Sequence, residues 1–353
     1  NELLDENAVH ETVLQSEKIG RPGMLLMLNP EYGFTVGIDV NVDYISTVLM
    51  DYTYAIKWQK RTPINPPHQQ EAVLQQAIEL THEAIELGQS KNMKPLGIGV
   101  VVPGLVDVRH GIMIMGPNLG WQNVPLRSLW QSHFDIPIFV ENDANAAAMG
   151  EYYIGEAKGI QHFICINIGV GIGGGIIIDG NLLRGSRGFA SEVGHMVVEP
   201  EGKLCGCGSR GCLETVTGNT AIIEAVQQAL HNAPLISPFK NEQDINDITL
   251  DQIVDAASDR HPVCIDQLKK VGYSLGLAVG TLVNIFNPEL VVIGGYSHQM
   301  VAQILPDLRK SAKAHIMNVS RKDLDIRPSR FGVSGSVIGA AALVFDQLTQ
   351  PAF

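Results

Sequence analysis

Long apolar runs are missing from this chain. No stretch approaches the roughly 18 residues that a membrane-spanning helix needs, and the start carries neither the basic n-region nor the apolar h-region of a secretory signal. Positive charge is also scarce: 25 lysines and arginines face 37 aspartates and glutamates, a net charge of −12. That balance excludes the body of the chain as a nucleic-acid surface, while leaving room for a small basic module attached to it. Cysteine is rare, with five in 353 residues. Three are clustered in a metal-binding pattern, and Cys165 and Cys264 lie alone in apolar segments as core thiols, which suggests a reducing compartment. A cytoplasmic protein is expected. The hydrophobic share of 45% and charged share of 18% describe a soluble globular chain with a sizeable core, and the length suggests two or three domains.

The cysteine cluster is the most informative stretch. His195, Cys205, Cys207 and Cys212 fall within 18 residues in the order H-x9-C-x-C-x4-C, and four such ligands can close a tetrahedral shell around zinc. Two acids, Glu192 and Glu214, bracket the cluster. Glu192 and His195 are three apart, so one helical turn puts them on the same face. The metal either fixes the wall of a small-molecule pocket or is a purely structural knuckle. In both cases four protein ligands leave no position for a catalytic water.

Asn1 to Gln15 sets Leu3, Leu4, Val9, Val13 and Leu14 among acids, like the last helix and β-wing of something longer. A polar run ends in Gly20-Arg21-Pro22, and Met24 to Leu28 follows as a short apolar strand. An extended arm carrying one guanidinium, Arg21, suits an A·T-rich minor groove, and it also suits a plain linker. Three strand-like runs follow (Phe34 to Asp39, Ile45 to Asp51, Tyr54 to Thr62), then a helical period from Gln69 to Gly88 and a buried strand from Leu96 to Val102. This is the core of a ribonuclease-H-like lobe. A strand from Ile136 to Val140 delivers Asn142-Asp143 to an Ala-rich helix. The pair can cap that helix; as a site, Asp143 can accept a proton from a sugar hydroxyl while Asn142 orients a neighbouring one.

Gly169-Val-Gly171-Ile-Gly173-Gly174-Gly175 follows a strand and precedes β-branched residues closed by Asp179-Gly180. A dinucleotide fingerprint requires a helix there, so the run reads as a hairpin. Its bare backbone either approaches a ligand or serves tight packing. Helical patterns from Thr220 to Leu230, Thr249 to Ala257 and Val263 to Phe286 come next. Gly272, Gly276 and Gly280 in the last should pack it closely on a sheet, and Asn287-Pro288 should end it. A strand at Leu290 to Gly294 and helices at Met300 to His315 and Ser334 to Leu348 repeat the plan of the first lobe. The fold expected is α/β, two-lobed and actin-like, a duplicated ribonuclease-H-like sugar-kinase architecture. Residues 1–28 would be a remnant of a winged helix-turn-helix with its linker, 29–140 plus 335–350 the first lobe, and 141–334 the second lobe with the zinc motif.

Pro117-Asn118, Asn142-Asp143, Gly169 to Gly175, Glu192-Val-Gly-His195 and Cys205-x-Cys207-Gly-x-x-Gly-Cys212-x-Glu214 together resemble the ROK family of repressors and kinases. The resemblance implies a sugar site of Asn118, Asn142, Asp143, Gly171, Glu192, His195 and Glu214. It also implies a zinc ion on His195, Cys205, Cys207 and Cys212, with His195 serving both, and a homodimer or homotetramer.

Within that family the chain resembles the regulators. Gly20-Arg21-Pro22 and the strand after it are similar to the tail of a winged helix-turn-helix, which implies operator DNA as a partner and a monosaccharide as effector. The Asp-x-Gly-Gly-Thr of the family's kinases is replaced by Asp39-Val40-Asn41-Val42-Asp43. Asn41 and Val42 remove the bare backbone, and Asp43 adds an anion opposite a polyphosphate. One like-charge pair at about 4 Å costs roughly 1 kcal/mol in water and about 4 kcal/mol at an effective dielectric of 20. An intact Asp143 and the second glycine loop favour the alternative, an ATP-dependent hexose kinase with Asp143 as base. The expectation leans toward a non-enzymatic sensor.

Overall fold

Alternation of β-branched runs with turn residues builds two five-stranded sheets of one plan. The computed structural model describes residues 2–13, 24–64, 69–232, 238–239, 241–319 and 324–349. Arg21 and its Gly-Arg-Pro arm lie outside these residues. A short helix, α1 (Glu2–Asp5), leads into an antiparallel ribbon of β1 (Val9–Val13) and β2 (Met24–Leu28), whose five β2 side chains are all exposed.

The first sheet is a meander of β3 (Gly33–Val40), β4 (Tyr44–Asp51) and β5 (Ile56–Pro63). Helix α2 (Gln70–Ser90) then crosses over to β6 (Lys94–Val102), parallel to β3. A small sheet of β7 (Leu105–Asp107), β8 (Ile112–Gly116) and β9 (Trp121–Val124) follows, then α3 (Leu126–Gln131) and β10 (Ile138–Asn142). The small sheet went unforeseen because its strands are three to five residues long and their apolar positions do not alternate far enough to register. Sheet order is β10-β6-β3-β4-β5.

Helix α4 (Asp143–Ile154) leads to the second meander, β11 (Phe163–Ile168), β12 (Ile172–Ile178) and β13 (Asn181–Leu182). Helices α5 (Glu214–Thr217), α6 (Asn219–His231), α7 (Glu242–Asn246), α8 (Leu250–Ser258) and α9 (Pro262–Phe286) precede β14 (Leu290–Gly294). Then come α10 (His298–His315), β15 (Asp325–Pro328) and α11 (Gly335–Thr349). The order β13-β12-β11-β14-β15 repeats the first sheet: an antiparallel meander, then two parallel strands on the other side of its first strand. This is the duplicated actin-like plan.

The inner helices are exchanged. Helix α4 follows the first sheet's last strand and packs on β11 and β12, while α11 follows the second sheet's last strand and packs on β3 and β6. Glycine makes this possible. A Cβ on Gly37 would stand 2.3 Å from the Val337 carbonyl, one on Gly99 2.0 Å from that of Ala340, and one on Gly339 1.7 Å from that of Ala146. The outer faces are closed by α2 and α3 on the first sheet, and by α6, α8, α9 and α10 on the second. The glycines of α9 serve a neighbour other than the one expected. Gly272, Gly276 and Gly280 lie against Ile304, Leu308 and His315 of α10, because glycines four apart form a groove that admits another helix's ridge. Asn287 ends α9 in the left-handed region at φ 46°.

Candidate functional site

Helix α4 begins at the carboxyl edge of the first sheet, where β10 ends. Asn142 caps it: the side-chain oxygen accepts from the N–H groups of Ala144 at 2.9 Å and Asn145 at 3.0 Å. The cap joins a larger network. The Asn142 amide donates to the Gly104 carbonyl at 3.0 Å and to Asp143 Oδ1 at 3.1 Å, so the residue that closes the helix also aims the carboxylate. Asp143 keeps part of its surface open, yet burial pushes its carboxyl up to about 7, with Glu192 adding to the rise. A carboxyl balanced near neutrality can exchange a proton with a bound hydroxyl.

The glycine hairpin divides its residues between packing and ligand approach. Cβ atoms on Gly173 and Gly175 would meet Ala144 and Ala148 of α4 at 2.5 and 2.3 Å, and one on Gly174 would meet Val193 at 2.8 Å. These three serve packing. Gly171 differs: its missing Cβ would stand 2.8 Å from Glu214 Oε2 and 3.0 Å from Asn118 Nδ2. Glu214, in the first turn of α5, also accepts the Ile172 N–H at 3.1 Å.

Glu192 and His195 sit on one 3-10 turn, with Glu192 Oε2 3.9 Å from His195 Nε2. The other ring nitrogen, Nδ1, faces Cys205 Sγ at 3.6 Å, and Cys207 and Cys212 approach each other at 3.7 Å between sulfurs. The four ligand atoms lie within 4.8 Å of one another, and the group can hold a metal ion. Ideal tetrahedral edges around zinc are about 3.8 Å between sulfurs and about 3.5 Å between sulfur and nitrogen, close to the two separations of 3.7 and 3.6 Å. Left-handed Gly208 and Gly211 turn the knuckle, and a Cβ on Gly211 would collide with the Glu199 carbonyl at 1.5 Å. Backbone hydrogen bonding from Ser209 draws the Cys207 thiol down to about 7, toward the thiolate a metal requires.

The seven expected sugar residues fall into three local groups: Asn118, Gly171 and Glu214 together, Glu192 with His195, and Asn142 with Asp143. Electrostatic coupling of Glu192 to both Asp143 and Glu214 joins the groups. In the first loop Asp43 is exposed at the turn and Val42 tucks against the core. Asp39 and Tyr44 lie nearer to Asp143. Asp39 is buried and lifted to about 8 by burial and by Asp143, and Tyr44 hydrogen-bonds to it. The guanidinium of Arg61 lies 3.4 Å from the Tyr44 ring centre. The loop's own donors are engaged internally: Asn41 N–H on the Tyr44 carbonyl at 3.0 Å, Val42 N–H on the Asn41 side chain at 2.8 Å.

Two further pairs escaped the sequence reading. Glu141, 1% exposed, accepts from the Asn142 N–H and the Asn145 amide and pairs with Arg184 from beyond β13. The acid directly before Asn142 was a weak signal; its burial and its distant partner are tertiary facts. Tyr44 and Arg61 are likewise joined only by the β4–β5 pairing, which sets Ser46 opposite Arg61.

A model of the ROK family matches residues 35–347. The xylose repressor of Caldicellulosiruptor bescii is 32% identical over 354 residues, 100% of this chain and 88% of that protein. Among solved structures, a ROK family transcriptional regulator, a homologue of the E. coli MLC protein, superposes with TM-score 0.83 at 29% identity, covering 98% of this chain and 86% of that one. A ROK family glucokinase from Streptomyces griseus, in complex with glucose and AMPPNP, gives TM-score 0.79 at 29% identity, covering 89% of this chain and 100% of its own. With the family model spanning both sheets and the relatives matching over the full chain, the chain belongs to the ROK family.

Proposed function

We propose that this chain is a sugar-responsive transcriptional regulator, most simply a repressor, whose cleft binds a monosaccharide. The observation that supports the reading is the coupling of Glu192 to both Asp143 and Glu214, with Asn118 and Gly171 beside Glu214, Asn142 on Asp143 and His195 beside Glu192, next to a first loop whose Asn41 and Val42 N–H groups are engaged internally. Asp143 and Glu192 accept from sugar hydroxyls, Asn118 and Asn142 orient neighbouring ones, and Gly171 leaves room for the ring. Zinc on His195, Cys205, Cys207 and Cys212 is structural, and fixes the His195 ring so that Nε2 stays with Glu192. Xylose is the first sugar to test, because the Caldicellulosiruptor bescii relative is a xylose repressor.

A sugar held by Asn118, Asn142, Asp143, Glu192 and Glu214 contacts elements of both halves and favours the closed cleft, shifting the equilibrium by its differential affinity. The first lobe comprises residues 29–140 with 335–350, and the second 141–334. Residues 1–28 would be the remnant of a winged helix-turn-helix and its linker, with Arg21 the candidate minor-groove arm on operator DNA. The regulator acts in the cytoplasm as a homodimer or homotetramer. Among the described residues no helix is long and apolar enough to cross a membrane.

The second reading is an ATP-dependent hexose kinase with Asp143 as general base, favoured by the Asp143 carboxyl near 7 and by the fold shared with the glucokinase. Against it stand the Asn41 and Val42 N–H groups, engaged within the loop, and the absence there of the glycines that the family's kinases carry. Calorimetric titration with xylose, glucose and N-acetylglucosamine, run beside a coupled ATP-turnover assay, separates the readings. Sugar binding without turnover supports the sensor, and robust sugar-dependent turnover overturns it.

A further inference from the structure

A chain of aromatic rings lines the edge of the first sheet opposite Asn142 and Asp143. β3 begins and β4 ends at that edge, with Phe34 paired to Asp51. Helix α4 starts at the other edge and brings its last turn here. Tyr153 of that turn stacks on Tyr54 of the β4–β5 turn, 6.1 Å between ring centres and 13° from parallel, and its hydroxyl donates to Asp346 of α11. Phe345, next to Asp346, meets Tyr54 edge-on at 4.8 Å and Tyr52 at 5.7 Å. Tyr52 meets Tyr32 at 4.8 Å, and the Tyr32 hydroxyl donates at 3.5 Å to Glu6, the residue after α1. Asn29 fastens the same end of the ribbon: its N–H donates to the Ala8 carbonyl at 2.9 Å and its side-chain amide to the Asn7 carbonyl at 2.8 Å. The rings therefore connect α4 to the N-terminal ribbon.

Two features make this a joint rather than ordinary core packing. Tyr54 holds φ at 64°, the left-handed region that a bulky side chain rarely enters. Buried Asp51 enforces that turn by accepting from the N–H groups of Thr53 at 2.8 Å and Ala55 at 3.0 Å. The stack also crosses between the halves of the fold. Helix α4 packs on β11 and β12, whereas α11, with Phe345 and Asp346, packs on β3 and β6. The two helices cross closely where a Cβ on Gly150 would stand 3.1 Å from the Gly339 Cα. Asp143 lies on one side of that crossing and Tyr153 on the other, about 15 Å apart along the helix at 1.5 Å per residue. A tilt of α4 about the crossing, as the cleft closes, must change how Tyr153 meets Tyr54 and Asp346. We propose that Tyr153, Tyr54, Phe345, Tyr52 and Tyr32 couple occupancy of the cleft to the placement of the N-terminal ribbon β1–β2. The proposal rests on the reading that the cleft binds a sugar.

The test is hydrogen exchange of the amides in Val9–Val13 and Met24–Leu28, with and without sugar, on this chain and its variants. Calorimetry with xylose, glucose and N-acetylglucosamine establishes which sugar is bound, and the amides of β3 serve as the folding control. In the parent, bound sugar is expected to shift ribbon exchange by at least about fivefold, the lower end of allosteric coupling. Tyr54→Gly removes the ring and suits the left-handed backbone, so the fold is kept. Its shift should fall below about twofold while sugar binds within about threefold of the parent's affinity. Tyr52→Leu, on the ribbon's side of Phe345, should do the same. A shift that persists in both variants, or ribbon amides that ignore bound sugar in the parent, overturns the proposal. A chain that binds none of the sugars overturns the sensor reading, and the coupling with it.

Discussion

The Cβ that Gly171 lacks would stand 2.8 Å from Oε2 of Glu214. An alanine there must displace the Glu214 carboxylate or the Asn118 amide, both proposed sugar contacts. Gly171→Ala is therefore expected to lower sugar affinity by at least about tenfold, the loss of one charged hydrogen bond, with little change in melting temperature. Gly173→Ala meets the Ala144 methyl instead and should destabilise the fold by about 1–3 kcal/mol as overpacking. Calorimetric titration and thermal unfolding of the two variants distinguish the roles.

Asp143 is held by Asn142 with part of its surface open, so its carboxylate is an oriented acceptor. Asp143→Asn keeps the shape and removes the charge. Sugar affinity should fall by roughly tenfold or more while the Asn142 cap, and with it helix α4, is retained. Unchanged affinity would remove Asp143 from the site.

The knuckle ties three cysteines to the turn carrying Glu192. Cys212→Ser should lose bound metal by elemental analysis, lower the melting temperature and weaken sugar binding together. Cys264→Ser, buried in the core on the first turn of α9, should keep its metal. Full sugar affinity in a metal-free Cys212→Ser protein would separate the metal from the pocket.

Asp39 carries the clearest pH signature. Its carboxyl is raised to about 8 in the folded chain against an ordinary value of 3.8. Below pH 4 the carboxyl is protonated in both states. As pH rises toward 8, the unfolded chain releases the proton first, so the folded state loses stability across that window. Asp39→Asn removes this loss. Its melting temperature should exceed the parent's by roughly 2–4 °C or more at pH 8.5 and by clearly less at pH 4.5.

Glu141 is buried and paired with Arg184. Arg184→Ala leaves that charge without its guanidinium and should cost about 3–5 kcal/mol. Glu141→Gln in the same chain should recover much of the loss, measured by denaturant unfolding as a double-mutant cycle.

Much of this was legible in local residue order. The metal quartet, the strand-to-helix placement of Asn142-Asp143 and the hairpin at Gly169 to Gly175 all follow from spacing and period, because ligand sets, caps and turns are satisfied within a few residues. The repeated meander-and-crossover plan was readable for the same reason: each strand and helix announces itself by its own apolar rhythm. The surroundings of Asp39 were not legible, because which residues meet it depends on how β3, β4 and β5 pair.

The sequence by itself determined the element types, the family and the chemical inventory of the site. Only the tertiary structure decided which glycines admit a ligand and which admit a helix, and that Asp39, Tyr44 and Arg61 crowd the first loop. It also joined Glu141 to Arg184, 43 residues away. The physical reason is that burial and close approach are properties of pairs of elements. Gly171 and Gly173 are chemically identical in the chain and differ only in what stands opposite: Glu214 and Asn118 at one, the Ala144 methyl of α4 at the other.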